Sequence, residues 1–568
     1  MNMDPEVLFS NAHELQREGQ LPEAIRCYEQ LLILSPNHVE ALRFIALAYA
    51  QLDDMHNTVL YLKRALDLQP TDARLHNNIA NAYKKSLDYD KAIYHYQQAL
   101  QFDPDYAQAH NNLATVYALQ EEYQQALHHY RLAVHAEPDF TAAHYNLGLL
   151  FLKNNQLEPA KIQFTNVLTL NPGHVDAQFY IGILLLEANA LEKAEEAFQN
   201  VLITNSEHVE ALINLGVIAL KHEHGQIAVD YFTRALALDN DNVDARNNLA
   251  ATFIHNDRFE NALIHYTVLL QHDPHHIEYL YNAGVAQMAL GHLKEATTLF
   301  EAILTQQDDH FAALTNLAAI HIRLGKRDEA IVLLEHALVA NPKDDATQFM
   351  LNALTGCEKK PDACPTYVSN LFNNYALYYD QHVQGPLHYS LPHIIGRALH
   401  QLNCTKVLNA IDLGCGTGLS GVVLRELSEH LTGVDIAAKM LSQARAKGIY
   451  DQLIESELIT FLQQDKQHYE LAVAADVLPY IGELDTLFSA VNQHLTHEGL
   501  FIFTHEISEN QPWKLQDSAR FSHHPDYIKT LCDQQNFHII YQEKVVARQQ
   551  NGQALHVMLY FVQPTFEV

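Results

Sequence analysis

Four glycines fall within eight positions of the stretch AIDLGCGTGLSG, Ala410–Gly421: Gly414, Gly416, Gly418 and Gly421. Glycine lets a chain turn tightly and lets another group approach the backbone. About twenty residues past the turn, Asp435 closes the apolar run HLTGVDI, where a carboxylate can accept hydrogen bonds from a ribose. Bare turn and downstream acid together suit one task, which is to cradle a nucleoside-bearing cofactor at the carboxyl ends of parallel strands.

Those residues need elements to hold them. VLNAIDLG reads as a buried strand and LSGVVLRELSEH as a helix, with the turn between them. HLTGVDI is a second strand, and AAKMLSQARAKG a second helix closed by Gly448. YELAVAADVL and GLFIFTHEIS are further strands on either side of the helix ELDTLFSAVNQHL. This alternation predicts a parallel sheet with helices on both faces. FHIIYQEKVVARQ and QALHVMLYFVQP predict an antiparallel hairpin closing one edge.

Gly-Cys-Gly-Thr-Gly, preceded by Asp412 and set between a strand and a helix, resembles the first signature of class I S-adenosylmethionine-dependent methyltransferases. The resemblance covers residues 366–568. It is similar there to bacterial methyltransferases that carry tetratricopeptide repeats, through GVDIAAKMLSQARAKGIYDQL, LAVAADVLPYIGELDTLF and RFSHHPDYI. It implies a Rossmann-like domain with a mainly parallel seven-stranded sheet and S-adenosyl-L-methionine as cofactor. By the same resemblance, Gly414, Cys415, Gly416 and Gly418 form the turn under the methionine and ribose, and Asp412 orders that turn and faces the methionine ammonium. Asp435 holds the ribose hydroxyls, with Ile436 and Met440 against the adenine. Glu457, with Leu458 beside it, stands where an acid meets the adenine amino group. In relatives the segment corresponding to FNNYALYYDQHVQGPLHY is a lid. Tyr375 and Tyr379, four apart on one helix face, would reach the methionine end; a packed amphipathic helix gives the same pattern.

The implied chemistry is in-line displacement at a sulfonium, in which the cofactor carries the reactivity and the protein aligns the partners. A base is needed only where the acceptor arrives protonated. Asp476 ends the fourth strand, either as a helix cap or as an acceptor contact. His505, His523 and His524 are candidate bases, although structural or orienting roles are the commoner use of such residues. The sequence after the fourth strand is Ala-Asp-Val-Leu-Pro. The absence of [DN]-P-P-[YF] there argues against nucleobase-amine and glutamine-amide acceptors.

The first 344 residues are different. Pro36, Pro70, Pro104, Pro138 and Pro172 stand 34 apart, and the phase continues through Pro274 and Pro342. Small residues recur in the same frame, at Ala12, Ala46, Ala80, Ala114, Gly148, Gly182, Gly216, Ala250, Gly284 and Ala318. A ring or large aliphatic follows each, from Tyr28 to Leu334. Ten units in unbroken phase resemble tetratricopeptide repeats, helix pairs that stack into an all-α superhelix. Asn78, Asn112, Asn146, Asn214, Asn248, Asn282 and Asn316 share one place on the first helix. Such amides are either tolerated drift or a ladder on the concave wall that bonds an extended peptide's main chain. The repeat superhelix of O-linked N-acetylglucosamine transferases, which this array resembles, has such a ladder. Residues 345–356 are expected to cap the array, and 357–365, CEKKPDACP, to be a linker.

A formal charge of −32, from 36 Lys+Arg against 68 Asp+Glu, repels nucleic acid and offers no basic run to offset it. No stretch approaches the roughly 20 apolar residues of a membrane span. Six scattered cysteines without a C-x-x-C pair read as reduced thiols of a cytoplasmic protein. The 36 histidines, among them His128, His129, His275 and His276, are expected on the surface, with no metal site. The expected function is a methyltransferase whose repeats recruit a protein or peptide. The alternatives are a small-molecule or carrier-bound carboxylate O-methyltransferase using its repeats for assembly, and a non-catalytic scaffold.

Overall fold

The computed structural model describes residues 4–356, 364–385, 387–402, 404, 406–550 and 553–565. The expected linker 357–365 therefore lies almost wholly outside the described residues. Among those described, no helix is long and apolar enough to cross a membrane.

Twenty helices, α1 (Pro5–Arg17) through α20 (Arg327–Ala340), alternate in length between 13 and 14 residues. Each pair is one 34-residue unit, and α21 (Asp345–Thr355) follows the last. In the seven units that have it, the proline sits just past the second helix, where a missing N–H costs nothing. Between the two helices of every pair one residue is left-handed. At Gly19, Gly291 and Gly325 this is free of strain, but Asp53, Leu87, Glu121, Asn155, Asn189, Glu223 and Asp257 also adopt it.

The small-residue place and the ring are matched. In the four units with glycine the ring sixteen residues later is phenylalanine, and in the six with alanine it is tyrosine or leucine. A Cβ on Gly148, Gly182, Gly216 or Gly284 would lie 2.8, 2.7, 2.5 or 2.8 Å from Phe164, Phe198, Phe232 or Phe300. The tyrosines instead keep a polar end satisfied: Tyr28 donates to Gln16 at 3.0 Å and Tyr96 to Asn81 at 2.5 Å.

Several histidines of the array are structural. His76, His110 and His144 are buried, and each has Nε2 on a proline carbonyl, of Pro70, Pro104 and Pro138. Their Nδ1 atoms meet His95, His129 and Gln163 at 3.2, 3.0 and 2.8 Å. His38, His174, His208 and His310 cap helix N-termini through Nδ1. The surface expectation thus fails for His129, half-buried against His110 Nδ1, and for His276, half-buried on the Tyr279 ring; His128 and His275 are exposed.

The chain divides into two compact units, Met1–Thr252 and Phe253–Val568. The second holds the last repeats together with the α/β part, so the change of element type near residue 365 is not the boundary between compact units. Phe349 and Ala353 of α21 pack with Leu515, Ala519 and Phe521. Arg327 pairs with Asp517 at 2.9 Å, and Lys439 with Asp257 at 3.3 Å.

In the α/β part, α22 (Pro365–Gln384) and α23 (Leu391–Gln401) precede β1 (Val407–Leu413). Then come α24 (Leu419–Leu427), β2 (Ser428–Asp435), α25 (Ala438–Lys447), β3 (Gln452–Glu455), α26 (Leu458–Gln464) and β4 (Tyr469–Ala474). A 3-10 turn at Leu478–Tyr480, α27 (Asp485–His494), β5 (Leu495–Ile507), β6 (Trp513–Leu515), β7 (Phe521–His523), α28 (Pro525–Gln534), β8 (Phe537–Gln550) and β9 (Gln553–Pro564) complete it. Strands β3-β2-β1-β4-β5 are parallel in that order. β5 then pairs with β9 antiparallel along its middle and with β7 at its end, while β6 pairs with β7 and β8 with β9. The sheet has nine described strands rather than the expected seven, because β6 and β7 form an extra hairpin of three-residue strands.

Alternation along the strands fills two cores. Ile411, Phe501 and Phe503 face α26, α27 and α28, and Ala410, Val473 and Ile502 face α23 and α24.

Candidate active site

Beyond the carboxyl ends of β1, β2 and β4, below α22, lies a cavity of about 640 Å³. That is within the range of sites that enclose a small ligand. Gly416 is left-handed, φ 54°, and its missing Cβ would meet nothing within 4 Å. Backbone is bare there, and open to the cavity. The other glycines serve the protein's own packing: a Cβ on Gly414 would strike Val477, and on Gly421 the Tyr450 ring.

Asp435 is buried at the end of β2. One carboxylate oxygen accepts from Gly416 N and the other from Ala437 N, both at 2.8 Å. Each oxygen keeps a second acceptor site. Burial raises its pKa, and the N–H bonds from Ala437 and Gly416 oppose that rise. Asp412 is more deeply buried and does not line the cavity. It accepts the Tyr450 hydroxyl at 2.7 Å, and burial pushes its carboxyl up to about 7.

Helix α22 is the roof, tied down by polar contacts. Asp380 accepts from Thr417 and pairs with Lys447 at 2.6 Å. Asn373 accepts from Lys439 N at 2.9 Å, capping α25 from outside. Ser369 donates to the Ile436 carbonyl at 3.3 Å. The roof turns Phe372, Tyr379 and Val383 into the cavity. The side chain of Tyr375 lies outside the described residues.

The cavity thus brings together Tyr379, Gly414, Gly416, Asp435, Ile436, Met440, Glu457, Leu458 and Asp476 of the expected residues. Glu457 caps α26, taking Ile459 N at 3.0 Å and Thr460 N at 2.7 Å, and like Asp435 it keeps a second acceptor site on each oxygen. Cys415 and Gly418 are not among the lining residues. The Cys415 thiol is buried, and that burial raises its pKa.

The base candidates are corrected. His505 and His523 are fully buried in the sheet, and neither lines the cavity. Burial lowers His505 to about 3 and His523 to about 4. His505 Nδ1 lies 2.9 Å from the Glu506 carbonyl, and His523 Nε2 lies 2.9 Å from that of Gly482. Their alternation with core residues on β5 and β7 puts them inside. His524 caps α28 by accepting from Asp526 N at 3.1 Å.

Asp476 does not cap a helix. It is left-handed, φ 58°, with its N–H on Thr504 Oγ1 at 2.9 Å. Its carboxylate lies between two guanidinium groups, Arg520 at 2.6 Å and Arg548 at 2.7 Å. Arg520 also donates to Glu506 at 2.7 Å and to Tyr480 at 2.5 Å. Arg520, Arg548, Glu506 and Tyr450 escaped the sequence reading. Arg548 follows a bulge between Val546 and Arg548 on β8, and a bulge redirects the side chains beyond it.

Five of the seven ladder asparagines donate within the array. Asn112 and Asn146 donate to Asn77 and Asn111 at 3.2 and 3.0 Å. Asn214 donates to the Glu210 carbonyl, Asn282 to Tyr266 and Asn316 to Tyr281. Asn78 is exposed, and Asn248 is half-buried.

Residues 411–501 match a methyltransferase domain family, and tetratricopeptide repeat families match 9–73, 88–121, 120–160, 145–209, 213–277 and 287–353. The chain is a tetratricopeptide-repeat array followed by a class I methyltransferase domain. A putative methyltransferase of Geobacillus sp. (strain WCH70) is 27% identical over 142 residues, 23% of this chain and 56% of that protein. The putative methyltransferase YqeM of Bacillus subtilis (strain 168) is 32% identical over 104 residues, 16% of this chain and 40% of that one. An 18S rRNA (guanine(1575)-N(7))-methyltransferase of Saccharomyces cerevisiae is 27% identical over 100 residues, 17% of this chain and 36% of its own length. The chain spans from about a third to just over half of these relatives. YrrB, described as a TPR protein with an unusual peptide-binding site, is 25% identical, with a TM-score of 0.30 over 32% of this chain and 95% of that one.

Proposed function

We propose that the chain is an S-adenosylmethionine-dependent methyltransferase whose repeats hold a protein or an extended peptide. The observation that carries the reading is the open, bare backbone at Gly416 facing the cavity, with Asp435 hydrogen-bonded to its N–H. Donors and acceptors there fit a nucleoside: Asp435 takes the ribose hydroxyls, and Ile436, Met440 and Leu458 lie against the base. When bound, the cofactor supplies a methyl group activated by a sulfonium. The roof helix α22 excludes water from it and is held by Asp380 and Asn373.

For the array, the support is the row of asparagines on the first helices. Where one Nδ2–H is spent inside the array, the amide oxygen and the second N–H are left for a main chain. Calorimetric titration with S-adenosylmethionine tests the first half. Micromolar binding is expected, and a flat titration would reject it. Tritiated-methyl labelling of a cell lysate tests the second. Labelled protein bands should fade when Asn112, Asn146, Asn248 and Asn282 are replaced by Ala, while cofactor affinity holds. Bands that persist unchanged would reject peptide capture.

A further inference from the structure

One part of the cavity wall is built from Asp476, Arg520 and Arg548, with the Glu506 carboxylate against Arg520. Asp476 and Glu506 carry two negative charges, and Arg520 and Arg548 two positive. The two arginines are not equivalent. Arg520 has all three nitrogens engaged, on Glu506, Tyr480 and Asp476. Arg548 donates only Nη1, to Asp476. Its Nη2 stands 3.9 Å from Glu506, too far for a hydrogen bond. Among the described residues its Nε and Nη2 have no acceptor, and Arg548 lines the cavity. Two adjacent N–H donors of one guanidinium match the two oxygens of a carboxylate.

Among the described residues in this part of the cavity, Asp476, Tyr379, Tyr389 and Tyr480 do not take up a proton near neutral pH. Burial pushes the Asp476 carboxyl up, but Arg520 and Arg548 outweigh it and hold the group below the usual range. Tyr379, Tyr389 and Tyr480 are all raised, chiefly by burial, and His505 and His523 lie in the core. An amine, amide or alcohol must lose a proton during transfer, whereas a carboxylate arrives without one.

Resting on the methyltransferase reading above, we infer that the methyl acceptor is a carboxylate, held by the two unspent donors of Arg548 and positioned by the Asp476–Arg520–Glu506 set. In the transfer one carboxylate oxygen bonds to the methyl carbon as the methyl–sulfur bond breaks. That bond's electron pair stays on sulfur, the products are a methyl ester and a neutral thioether, and no proton moves. The bulge is tied to the segment between α22 and α23: the carbonyls of Val546 and Ala547 accept from Ser390, and Gln549 N donates to the Leu387 carbonyl at 2.6 Å. Leu387 and Tyr389 then form an apolar wall beside Arg548.

The test uses the full chain saturated with S-adenosylhomocysteine, whose own binding is measured first. Failure of that binding would defeat the methyltransferase reading itself. With the complex in hand, benzoate and its neutral analogue benzamide are titrated. Benzoate is expected to bind at least tenfold tighter, and Arg548→Gln to remove that preference while S-adenosylhomocysteine affinity stays within about twofold. Arg548→Lys, which keeps the charge beside Asp476 but loses the fork, should retain only part of it. Equal binding of the two probes to the wild type, or no binding of either, would overturn the inference without any variant. A second arm labels lysate with tritiated methyl, separated into retained protein and small-molecule filtrate. Label released as methanol by alkali is expected; from protein it assigns a polypeptide carboxylate, and from the filtrate a free acid. Alkali-stable label in both fractions overturns it.

Discussion

In the array, Gly216 meets Phe232 as Gly148 meets Phe164 and Gly182 meets Phe198. In the α/β domain, Gly421 makes room for Tyr450 once, and Tyr450 then holds Asp412. The array repeats one solution with interchangeable parts, glycine with phenylalanine or alanine with tyrosine or leucine. The α/β domain depends on positions used a single time. Substitution should therefore be graded in the first region and abrupt in the second.

The largest effect is expected at Asp435. On the proposed reading Asp435→Ala removes a charged acceptor for two ribose hydroxyls, each worth about 1.5–3 kcal/mol, so calorimetry should read at least a 100-fold loss of S-adenosylmethionine affinity. A loss under tenfold would break the contrast. Asp412 comes next, through pH. Its folded carboxyl, at about 7, holds a proton that the unfolded chain releases near pH 4, so stability falls as pH rises between those values. The penalty is at most about 4 kcal/mol. Asp412→Asn should thus raise the urea midpoint relative to wild type at pH 8 and give little or no gain at pH 4.

Smaller effects belong to the array. Gly216→Ala drives a Cβ to 2.5 Å from Phe232 and should cost about 1–3 kcal/mol, read as a lowered melting temperature. Adding Phe232→Leu, which recreates the Ala46/Leu62 pairing, should recover most of the loss. A double variant no better than the single would refute interchangeable parts. Smallest is Leu87, exposed and left-handed at φ 61°. Leu87→Gly should stabilise the array by about 1 kcal/mol.

Repetition also decides what the sequence discloses. Ten copies average out local noise, so the helix pairs and their small-residue place are legible from spacing alone. The left-handed turn residue is equally periodic, yet it passes unseen because Asp, Glu, Asn and Leu together fill it more often than Gly. In the α/β domain the Gly416–Asp435 pair is legible because turn chemistry and strand spacing fix both. Arg548 is not, since simple alternation from Val545 would send it outward and only the bulge turns it toward Asp476. His505 and His523 misled for a related reason. A histidine on a strand end resembles a base, and only three-dimensional burial distinguishes it from core.

The patch formed by Phe349, Ala353, Leu515, Ala519 and Phe521 bears on any attempt to shorten the molecule. A fragment begun at the lid helix would strip one side from Phe521 and leave an oily scar next to the hairpin that carries Arg520, inviting clumping. Cutting near Phe253 instead keeps that seam intact, and this longer piece is the one to produce first.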